Sequence, residues 1–431
     1  MLDPRSLTER RDEIAESCRK RRVRADVDGA IAAHEQVTKL ATELNELNQT
    51  RNEHQKSGKK KLEAAEREAH VAEGRRLKEE VAALEDRMRE ARAALDEKLD
   101  PLPNFIHPAV PEGGEEDFAV LSTWGEPASP GFEPLDHLAL CEKLDLVDFE
   151  RAAVVAGQKW YYLKNDAVLL ELALQRFALD RVMAAGFTPY TTPDVARTEV
   201  VHAMGFNPRG DETNIYSLAD ADLCLVGTAE IPLGGLLLDS IVDEDELPMR
   251  VAGISHCFRV EAGAYGRESR GLYRVHQFTK TEMFVFSTPE QSEEMHGELL
   301  AIEESIFQDL EVPYRVIDVA TGDLGAPAYR KFDIEAWMPG RSEGGSFGEI
   351  TSASNCTDYQ ARRLRARFRR KGAQGKKGRT EFVHTLNGTA ISNARTIMLL
   401  LEVHQQQDGS VRIPKALQPY MGRERIEGPG A

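Results

Sequence analysis

Residues 257–286 combine arginines, carboxylates and an aromatic ring at spacings that could hold a charged ligand. They predict two strands joined by a loop rich in glycine and charged residues. Side chains of one parity share a face of a strand, and in the second strand that face carries Arg274, His276, Phe278, Lys280 and Glu282. Guanidinium groups, carboxylates and a ring are poorly suited to a core. They are well suited to bind an anionic, aromatic ligand such as a nucleotide.

Other polar segments could complete a site with this strand pair. Arg259 and Glu261 share a face of the first strand in the same way. The further segments are Thr228–Glu230, Glu349–Asn355 and Asn387–Arg395. Taken singly, Arg259 could be half of a structural ion pair, Phe278 could belong to the core and Thr389 could cap a helix. Their joint occurrence is what favours a binding site.

The N-terminal region predicts two long helices that pair along heptad seams. The seams consist of Val37, Leu40, Leu44 and Leu47, and of Leu77, Val81, Leu84, Met88, Ala91 and Leu95. Between them, Ser57 and Gly58 predict a reversal of the chain. We therefore expect an antiparallel hairpin, the arm, over about residues 27–100, with Arg51 and Lys59–Lys61 at its tip. A coiled coil between two chains is the alternative, but each seam lasts barely three heptads.

The pattern changes after residue 100 and predicts a second, larger domain. Prolines at 101, 103, 108 and 111 end the helical pattern. Beyond them, short strands often follow one another without helices between them, which favours an α+β domain around an antiparallel sheet. We expect an N-terminal domain at 1–105, a linker at 106–135 and an α+β domain at 136–431.

Composition and charge distribution narrow the functional class. The 431 residues are 41% hydrophobic and 29% charged, as in a globular protein, with a net charge of −17. The positive charge is nevertheless clustered, at residues 19–24, at 59–61 and at 362–379, so a nucleic-acid partner is not excluded. No signal peptide or long apolar run is present. Five scattered cysteines predict a reducing cytoplasm and no zinc site.

Together these motifs resemble the seryl-tRNA synthetases, a family of class II aminoacyl-tRNA synthetases, over essentially the whole chain. Motif 2 of this class is similar to Phe258–Glu261 with Arg274–Phe278, and motif 3 to Asn387–Arg395. Motif 1 is similar to residues 169–193, which implies a homodimer. The resemblance implies a class II catalytic domain, built on an antiparallel sheet flanked by helices, after a two-helix coiled-coil arm.

The resemblance also implies roles for individual residues. Arg259 would be catalytic by holding the α-phosphate of ATP and the serine carboxylate, and Arg395 by holding the γ-phosphate. Phe278 would stack on adenine, and Glu349 and Ser352 would bind the Mg²⁺ that enters with ATP. The family's serine site corresponds here to Thr228, Ala229, Glu230, Arg259, Glu282 and Thr389. Its ATP site corresponds to Arg259, Val260, Glu261, Val275, Phe278, Glu349, Ile350, Thr351, Ser352 and Arg395.

Three positions depart from the family's pattern. Thr351 and Ala353 stand where Ser and Cys are expected, and His256 stands where Pro commonly precedes Cys257. Thr351 keeps a hydroxyl and Ala353 is smaller, so neither change removes a ligand of phosphate or serine.

The expected function is that of a cytoplasmic, homodimeric serine–tRNA ligase with no membrane partner. It would form seryl-adenylate from serine and ATP, and then transfer the seryl group to the terminal adenosine of tRNA(Ser) and, by family, of tRNA(Sec). The arm would contact the tRNA backbone. One alternative is a paralogue that activates an amino acid for a carrier protein or a biosynthetic pathway. Another is an inactive protein that binds tRNA.

Overall fold

The computed structural model describes residues 1–58, 63–127, 131–206, 214–261, 271–342, 344–372 and 377–428. It divides into two compact units, the N-terminal unit Met1–Phe105 and the C-terminal unit Ile106–Ala431. Three features that the sequence singles out fall on residues outside the described ranges. They are the lysines 59–61, most of the loop 262–271 and part of the basic run 362–379.

The N-terminal unit is built around two long antiparallel helices. Its helices are α1 (Arg11–Lys20), α2 (Val27–Ser57) and α3 (Ala64–Leu99). Asp26 caps α2 by accepting a hydrogen bond from the backbone of Gly29 at 2.8 Å, and it also accepts one from Lys98 Nζ at 2.8 Å. At the other end of the pair, the rings of His54 and His70 stack with centroids 3.8 Å apart. These contacts align the two helices in opposite directions.

The predicted heptad seams face each other in this pair of helices. Leu40, Leu84 and Met88 are buried together. The residues packed around them include Val37, Leu44, Leu47 and Ala91. The two halves of one chain therefore cover each other's apolar stripes, which confirms the predicted coiled-coil hairpin. In the alternative the seams would pair between two chains, whereas here they pack within one chain.

The C-terminal unit contains helices and strands that alternate irregularly along the chain. The helices are α4 (His137–Lys143), α5 (Phe149–Ala156), α6 (Asp166–Ala184), α7 (Thr198–Ala203), α8 (Glu230–Gly234), α9 (Ser292–Asp309), α10 (Tyr359–Leu364), α11 (Asn393–Val403) and α12 (Gln418–Met421). Within the described ranges, no helix combines the length and apolar composition needed to cross a membrane.

The strands form one large sheet and several small ones. Those of the large sheet are β1 (Ala119–Trp124), β4 (Thr188–Thr191), β8 (Met249–Phe258), β9 (Gln277–Ser287), β10 (Tyr314–Asp318), β11 (Arg330–Met338), β12 (Ser346–Asn355) and β15 (His384–Ser392). Their order is β1-β10-β11-β12-β15-β9-β8-β4, and neighbours are antiparallel except for the parallel pair β4–β8. This arrangement confirms the predicted α+β fold.

The remaining strands are short and lie outside this sheet. They are β2 (Val147–Asp148), β3 (Tyr162–Leu163), β5 (Val195–Arg197), β6 (Leu223–Leu225), β7 (Ile241–Asp243), β13 (Arg367–Lys371), β14 (Lys377–Phe382), β16 (Val411–Arg412) and β17 (Arg425–Ile426). Strands β14, β13 and β7 form a three-stranded sheet. Part of the basic run 362–379 therefore lies in strands.

The core of the C-terminal unit packs helices against the large sheet. Phe177 of α6, Phe307 of α9 and Leu401 of α11 are buried in one cluster with residues of the sheet. Each fully buried side chain of this kind stabilises the fold by about 1.5–3 kcal/mol. Helix α11 directly follows β15, and this short connection determines where Arg395 lies relative to the sheet.

The structure differs from the sequence expectation at two places. Residues 106–135, expected to be a linker, contribute the edge strand β1 to the large sheet. Strand β9 begins only at Gln277, so Arg274 and His276 are not in a strand. Beyond Gln277 the ladder is incomplete: the backbone N–H of Arg259 still donates to the His276 carbonyl at 3.0 Å, but that of His276 donates to Lys159 at 3.1 Å and that of Val260 to Asn214 at 2.8 Å.

Candidate active site

A cavity of about 570 Å³ in the C-terminal unit collects most of the residues that the sequence singles out. Ala229 and Val260 do not line it. Ala229 is fully buried, and the backbone N–H of Val260 donates to the carbonyl of Asn214. The expected site residues that line the cavity are Thr228, Glu230, Arg259, Glu261, Val275, Phe278, Glu282, Glu349, Ile350, Thr351, Ser352, Thr389 and Arg395.

Strand register brings Glu282 and Thr389 together on one wall of the cavity. Glu282 of β9 lies opposite Thr389 of β15 and opposite Gly253 of β8. Thr389 Oγ1 donates a hydrogen bond to Glu282 Oε2 at 3.1 Å. A methyl group on Gly253 would lie 3.0 Å from the Cβ atom of Ala229. Gly253 therefore allows the segment Thr228–Glu230 to pack closely on the sheet.

Thr389 is not a helix cap, although the sequence left that alternative open. It lies within β15, and α11 begins four residues later at Asn393, with Ser392 in the N-cap position. The hydroxyl of Thr389 is thus available to the cavity and to Glu282.

Lys280 forms a buried ion pair that sequence reasoning missed. Its Nζ atom lies 2.6 Å from Glu282 Oε2, and the two side chains are 8% and 2% exposed. A buried carboxylate needs such compensation because removing a charge from water is costly. The spacing of Lys280 between Phe278 and Glu282 was the available signal, since all three share one strand face. The sequence predicts that face but no role for the lysine.

Glu230 is held by two amides from distant parts of the chain. Gln360 Nε2 and Asn387 Nδ2 both donate to Glu230 Oε1, at 2.7 and 3.0 Å. Thr385 Oγ1 in turn donates to Gln360 Oε1 at 2.7 Å. Burial, with a smaller contribution from the charge of Glu282, raises the pKa of Glu230 to about 7. Gln360 is a second residue that the sequence does not single out.

Arg259, Phe278 and Glu261 form a further group of cavity-lining residues. The guanidinium carbon of Arg259 is 5.2 Å from the centre of the Phe278 ring, and Arg259 Nε donates to the carbonyl of Gly227 at 3.3 Å. Arg274 Nη1 lies 3.4 Å from Glu261 Oε2. A cation, an aromatic face and a carboxylate therefore lie near one another, as nucleotide recognition requires.

Arg395 is fixed against Glu349. Arg395 Nη1 donates to the Glu349 carbonyl at 2.9 Å and lies 3.4 Å from its carboxylate. Burial alone would raise the pKa of Glu349, but the charge of Arg395, followed by those of Lys331 and Arg259, lowers it below its usual value. Glu349 is therefore an anion that faces the cavity.

The ring of Tyr273 supports Arg395. The guanidinium carbons of Arg395 and Arg341 lie 4.6 and 4.8 Å from the centre of this ring. Arg341 Nη1 also donates to Tyr273 Oη at 3.2 Å. Neither Tyr273 nor Arg341 is singled out by the sequence, because their meeting depends on the fold of segments about 70 residues apart.

The structure gives partners to the residues that depart from the family pattern. Thr351 Oγ1 donates to Glu303 Oε2 at 2.9 Å, and burial raises the pKa of Glu303 well above its usual value. The backbone carbonyl of Ala353 is 3.0 Å from His296 Nε2. His256 Nδ1 lies 2.8 Å from Asp194 Oδ2.

Glu349 and Ser352 are suited to bind Mg²⁺ only together with other ligands. Carboxylate and hydroxyl oxygens are the hard ligands that this ion prefers. Across the described residues, no group of three or more His, Cys, Asp or Glu side chains could hold a metal ion. Phosphate oxygens and water would therefore have to complete the coordination shell.

Two family models match the chain. The model described as "Seryl-tRNA synthetase N-terminal domain" matches residues 1–106. The model described as "tRNA synthetase class II core domain (G, H, P, S and T)" matches residues 216–404. Together they cover most of the two structural units.

Individual relatives are similar over nearly their whole length. The chain is 51% identical to the serine–tRNA ligase of Rubrobacter xylanophilus over 427 residues, 99% of each chain. It is 48% identical to that of Treponema denticola, over 99% of this chain and 100% of the relative. The crystal structure of seryl-tRNA synthetase from Pyrococcus horikoshii complexed with ATP superimposes with a TM-score of 0.87 at 38% identity, covering 99% of this chain and 100% of that one.

Proposed function

The chain belongs to the seryl-tRNA synthetase family and is an aminoacyl-tRNA ligase, and we propose that the cavity of the C-terminal unit is where it joins serine to tRNA. One observation carries the assignment of the cavity. Glu230, Glu282 and Thr389, which suit an ammonium and a hydroxyl, line the same cavity as Arg259 and Arg395, which suit carboxylate and phosphate.

Serine binds between Glu230 and Glu282. Glu230 accepts hydrogen bonds from the serine ammonium, and Glu282 with Thr389 binds the serine hydroxyl. Thr228 and Arg259 complete this pocket. Ala229, which is fully buried, packs beneath it against Gly253. Alanine is rejected because it has no hydroxyl to exchange hydrogen bonds with Glu282 and Thr389, and polar groups in a dry site that lose a partner cost more than a lost apolar contact.

ATP binds along the other wall. Phe278 stacks on the adenine, while Glu261 and the backbone at Val275 bind the edge of the base. The segment Glu349–Ser352 lies beside the phosphates, and Arg395 pairs with the γ-phosphate. Glu349 and Ser352 would hold Mg²⁺, which when bound neutralises phosphate charge. The relative from Pyrococcus horikoshii, whose printed title names ATP, supports this assignment.

Activation requires positioning rather than a base. A serine carboxylate oxygen attacks the α-phosphorus, a new P–O bond forms, the bond to the β-phosphate breaks and pyrophosphate leaves. The nucleophile is already anionic at neutral pH, so no proton has to be removed. Arg259 aligns the carboxylate with the α-phosphate and stabilises the charge that develops there.

Transfer then joins the seryl group to tRNA. The 3′-hydroxyl of the terminal adenosine attacks the acyl carbon, an ester bond forms and the acyl–phosphate bond breaks. AMP leaves, and the hydroxyl proton passes to its phosphate. The arm, α2 and α3, binds the tRNA backbone, in tRNA(Ser) and in tRNA(Sec) where the host has one.

The same proposal includes a cytoplasmic homodimer. Val168, Leu169 and Leu172 are 40%, 42% and 57% exposed on α6, although they are apolar. All four residues of the edge strand β4 are exposed as well. A second copy that covers this surface would bury the apolar side chains and protect the strand edge.

Serine-dependent exchange of pyrophosphate into ATP, followed by charging of tRNA(Ser), tests the function. We expect exchange with serine, at least 100-fold weaker exchange with alanine, and charging of tRNA. Exchange without charging would instead favour the paralogue that serves a carrier protein. Glu282→Gln should raise the KM for serine strongly, whereas Glu294→Gln, an exposed position on α9, is the matched control and should leave it unchanged. Equal effects of the two changes would contradict the assignment of the pocket.

A further inference from the structure

Part of the cavity wall contains none of the residues assigned above to serine or ATP. It comes from the end of α7, from the segment before β11 and from β11 and β12. We call it the Lys331 lobe, and it consists of Met204, Phe206, Asp323, Pro327, Lys331 and Ser354, all of which line the cavity.

The Lys331 lobe is continuous with the serine pocket across the sheet. Lys331 lies opposite Ser354, and Ser354 lies opposite Asn387, so the three form a row over β11, β12 and β15. Adjacent strands are about 4.8 Å apart, which places Lys331 roughly 10 Å from Asn387. Asn387 itself donates to Glu230 of the serine pocket. Gln360 makes a second connection, because its Nε2 atom donates to both Glu230 and the carbonyl of Met204.

In the Lys331 lobe, the backbone at Gly205 packs closely against the ring of Pro327. Gly205 has a φ of +91°, and a methyl group there would lie 2.4 Å from Pro327 Cγ. Glycine at 205 therefore lets the end of α7 contact the segment that precedes β11. Met204, Phe206 and Pro327 give this wall an apolar surface next to the polar row.

Lys331 is a fixed cation in this wall. Its Nζ atom lies 3.2 Å from Asp333 Oδ2 and 3.5 Å from Asp323 Oδ2, and its side chain is 18% exposed. Burial alone would lower the pKa of Lys331, but the charge of Asp333, followed by those of Glu349 and Asp323, raises it. The ammonium group is therefore charged and held in place at neutral pH.

The transfer step needs a nucleotide to bind next to the serine pocket. A hydroxyl must reach the acyl carbon of seryl-adenylate from a part of the cavity that the adenylate does not fill. That hydroxyl belongs to a nucleotide, which carries a phosphate, a sugar and a base. The lobe offers a cation, polar groups and an apolar surface within one nucleotide's reach of the serine pocket.

We propose that the Lys331 lobe binds the 3′-terminal nucleotide of tRNA, with Lys331 contacting its phosphate, and that it serves transfer rather than activation. This rests on the proposed function, since it assumes that seryl-adenylate forms in the neighbouring pocket. Lys331 is then a positioning residue for the attacking hydroxyl.

The test measures activation and transfer separately in the full-length protein. Lys331→Gln keeps a side chain that can hydrogen-bond Asp333, and Lys331→Arg keeps the charge. We expect Lys331→Gln to slow single-turnover transfer from preformed seryl-adenylate at least tenfold while it changes pyrophosphate exchange less than threefold. Lys331→Arg should restore most of the transfer rate. Lys371→Gln, at an exposed lysine of β13, is the matched control and should change neither step.

A binding measurement gives a readout other than activity. The wild-type protein should bind tRNA(Ser) more tightly than the same tRNA without its terminal adenosine, and Lys331→Gln should abolish that difference.

Two outcomes would overturn the proposal: a parallel fall in pyrophosphate exchange, which would assign Lys331 to ATP, or unchanged transfer and tRNA binding. Failure of the wild type to form seryl-adenylate would instead overturn the proposed function.

Discussion

At the scale of single residues, the two carboxylates of the serine pocket are compensated by different means. Glu282 is paired with the ammonium group of Lys280. Glu230 is held by the neutral amides of Gln360 and Asn387. Burial, with a smaller contribution from the charge of Glu282, raises the pKa of Glu230 to about 7, and the hydrogen bond from Gln360 lowers it only in part. The charge of Glu230 therefore changes near physiological pH.

The affinity for serine should therefore depend on pH through Glu230. The ammonium of serine binds the ionised carboxylate, so the affinity is full above pH 7 and falls as the pH drops through about 7. Below that point the loss should approach tenfold per pH unit. Calorimetry at pH 6, 7 and 8, in buffers of different ionisation enthalpy, should also show that serine binding releases a proton. Glu230→Gln should bind weakly at every pH, and a wild-type affinity that is constant from pH 6 to 8 would contradict the role.

A second prediction concerns the hydroxyl of Thr389. Thr389→Val keeps the shape of the side chain but removes the hydrogen bond to Glu282. The loss of one hydrogen bond to a charged group costs about 1.5 kcal/mol, or roughly tenfold in the KM for serine. Steady-state pyrophosphate exchange measures it, and Thr389→Ser is the control that should retain the wild-type KM. If the valine and serine variants behave alike, Thr389 does not bind serine through its hydroxyl.

At the scale of elements, helix α9 reaches the cavity wall through one buried acid. Glu303 is fully buried on α9 and accepts a hydrogen bond from Thr351 of β12. The helix therefore contacts the strand that carries Glu349 and Ser352. This contact also explains how a threonine at 351 is accommodated, since its hydroxyl has a partner behind the sheet.

Glu303 should make the fold less stable as the pH rises. Its pKa is raised in the folded state, so folding favours the neutral acid, and that advantage is lost as the pH rises above the value of about 4.3 typical of unfolded chains. Glu303→Gln removes the ionisable group and can still accept from Thr351. The variant should gain thermal stability over the wild type, and the gain should be larger at pH 8 than at pH 5. Glu294→Gln, at an exposed position of α9, should show no such trend, and a gain that is independent of pH would contradict this account.

Elements with a clear period are the ones that the sequence predicts well. The heptad seams of α2 and α3 and the strands around Glu282 and Glu349 all repeat at 3.5 or 2 residues. Arg274 and His276 fit the same period-two pattern and yet lie outside β9. The pattern cannot reveal that the backbone N–H of His276 donates to Lys159, which leaves only its carbonyl to bond the backbone of Arg259 after β8.

At the scale of the whole molecule, the apolar surface of α6 predicts self-association. Leu172→Glu places a charge in the centre of the surface that a second copy would cover. We expect light scattering to show a dimer for the wild type and a monomer for this variant. Val154→Glu changes a more exposed valine on α5, which is 87% exposed, and should remain dimeric. A dimer that persists in Leu172→Glu would show that another surface is used.

The sequence by itself determined the family and the fold class, and most of the site residues that it predicts line the cavity. It could do so because the informative signals are local. Glu282 and Phe278 lie on one strand, and Asn387–Arg395 is one continuous segment, so their types and spacing can be read without knowing the fold.

Only the tertiary structure decided which distant residues complete the site. Gln360 reaches Glu230 across 130 positions, Glu303 reaches Thr351 across 48, and Lys331 faces the serine pocket through the register of three strands. Long-range register follows from how helices and strands pack to bury apolar surface, and no single segment encodes it. For the same reason the compensating partners of the buried charges became visible only in the folded chain.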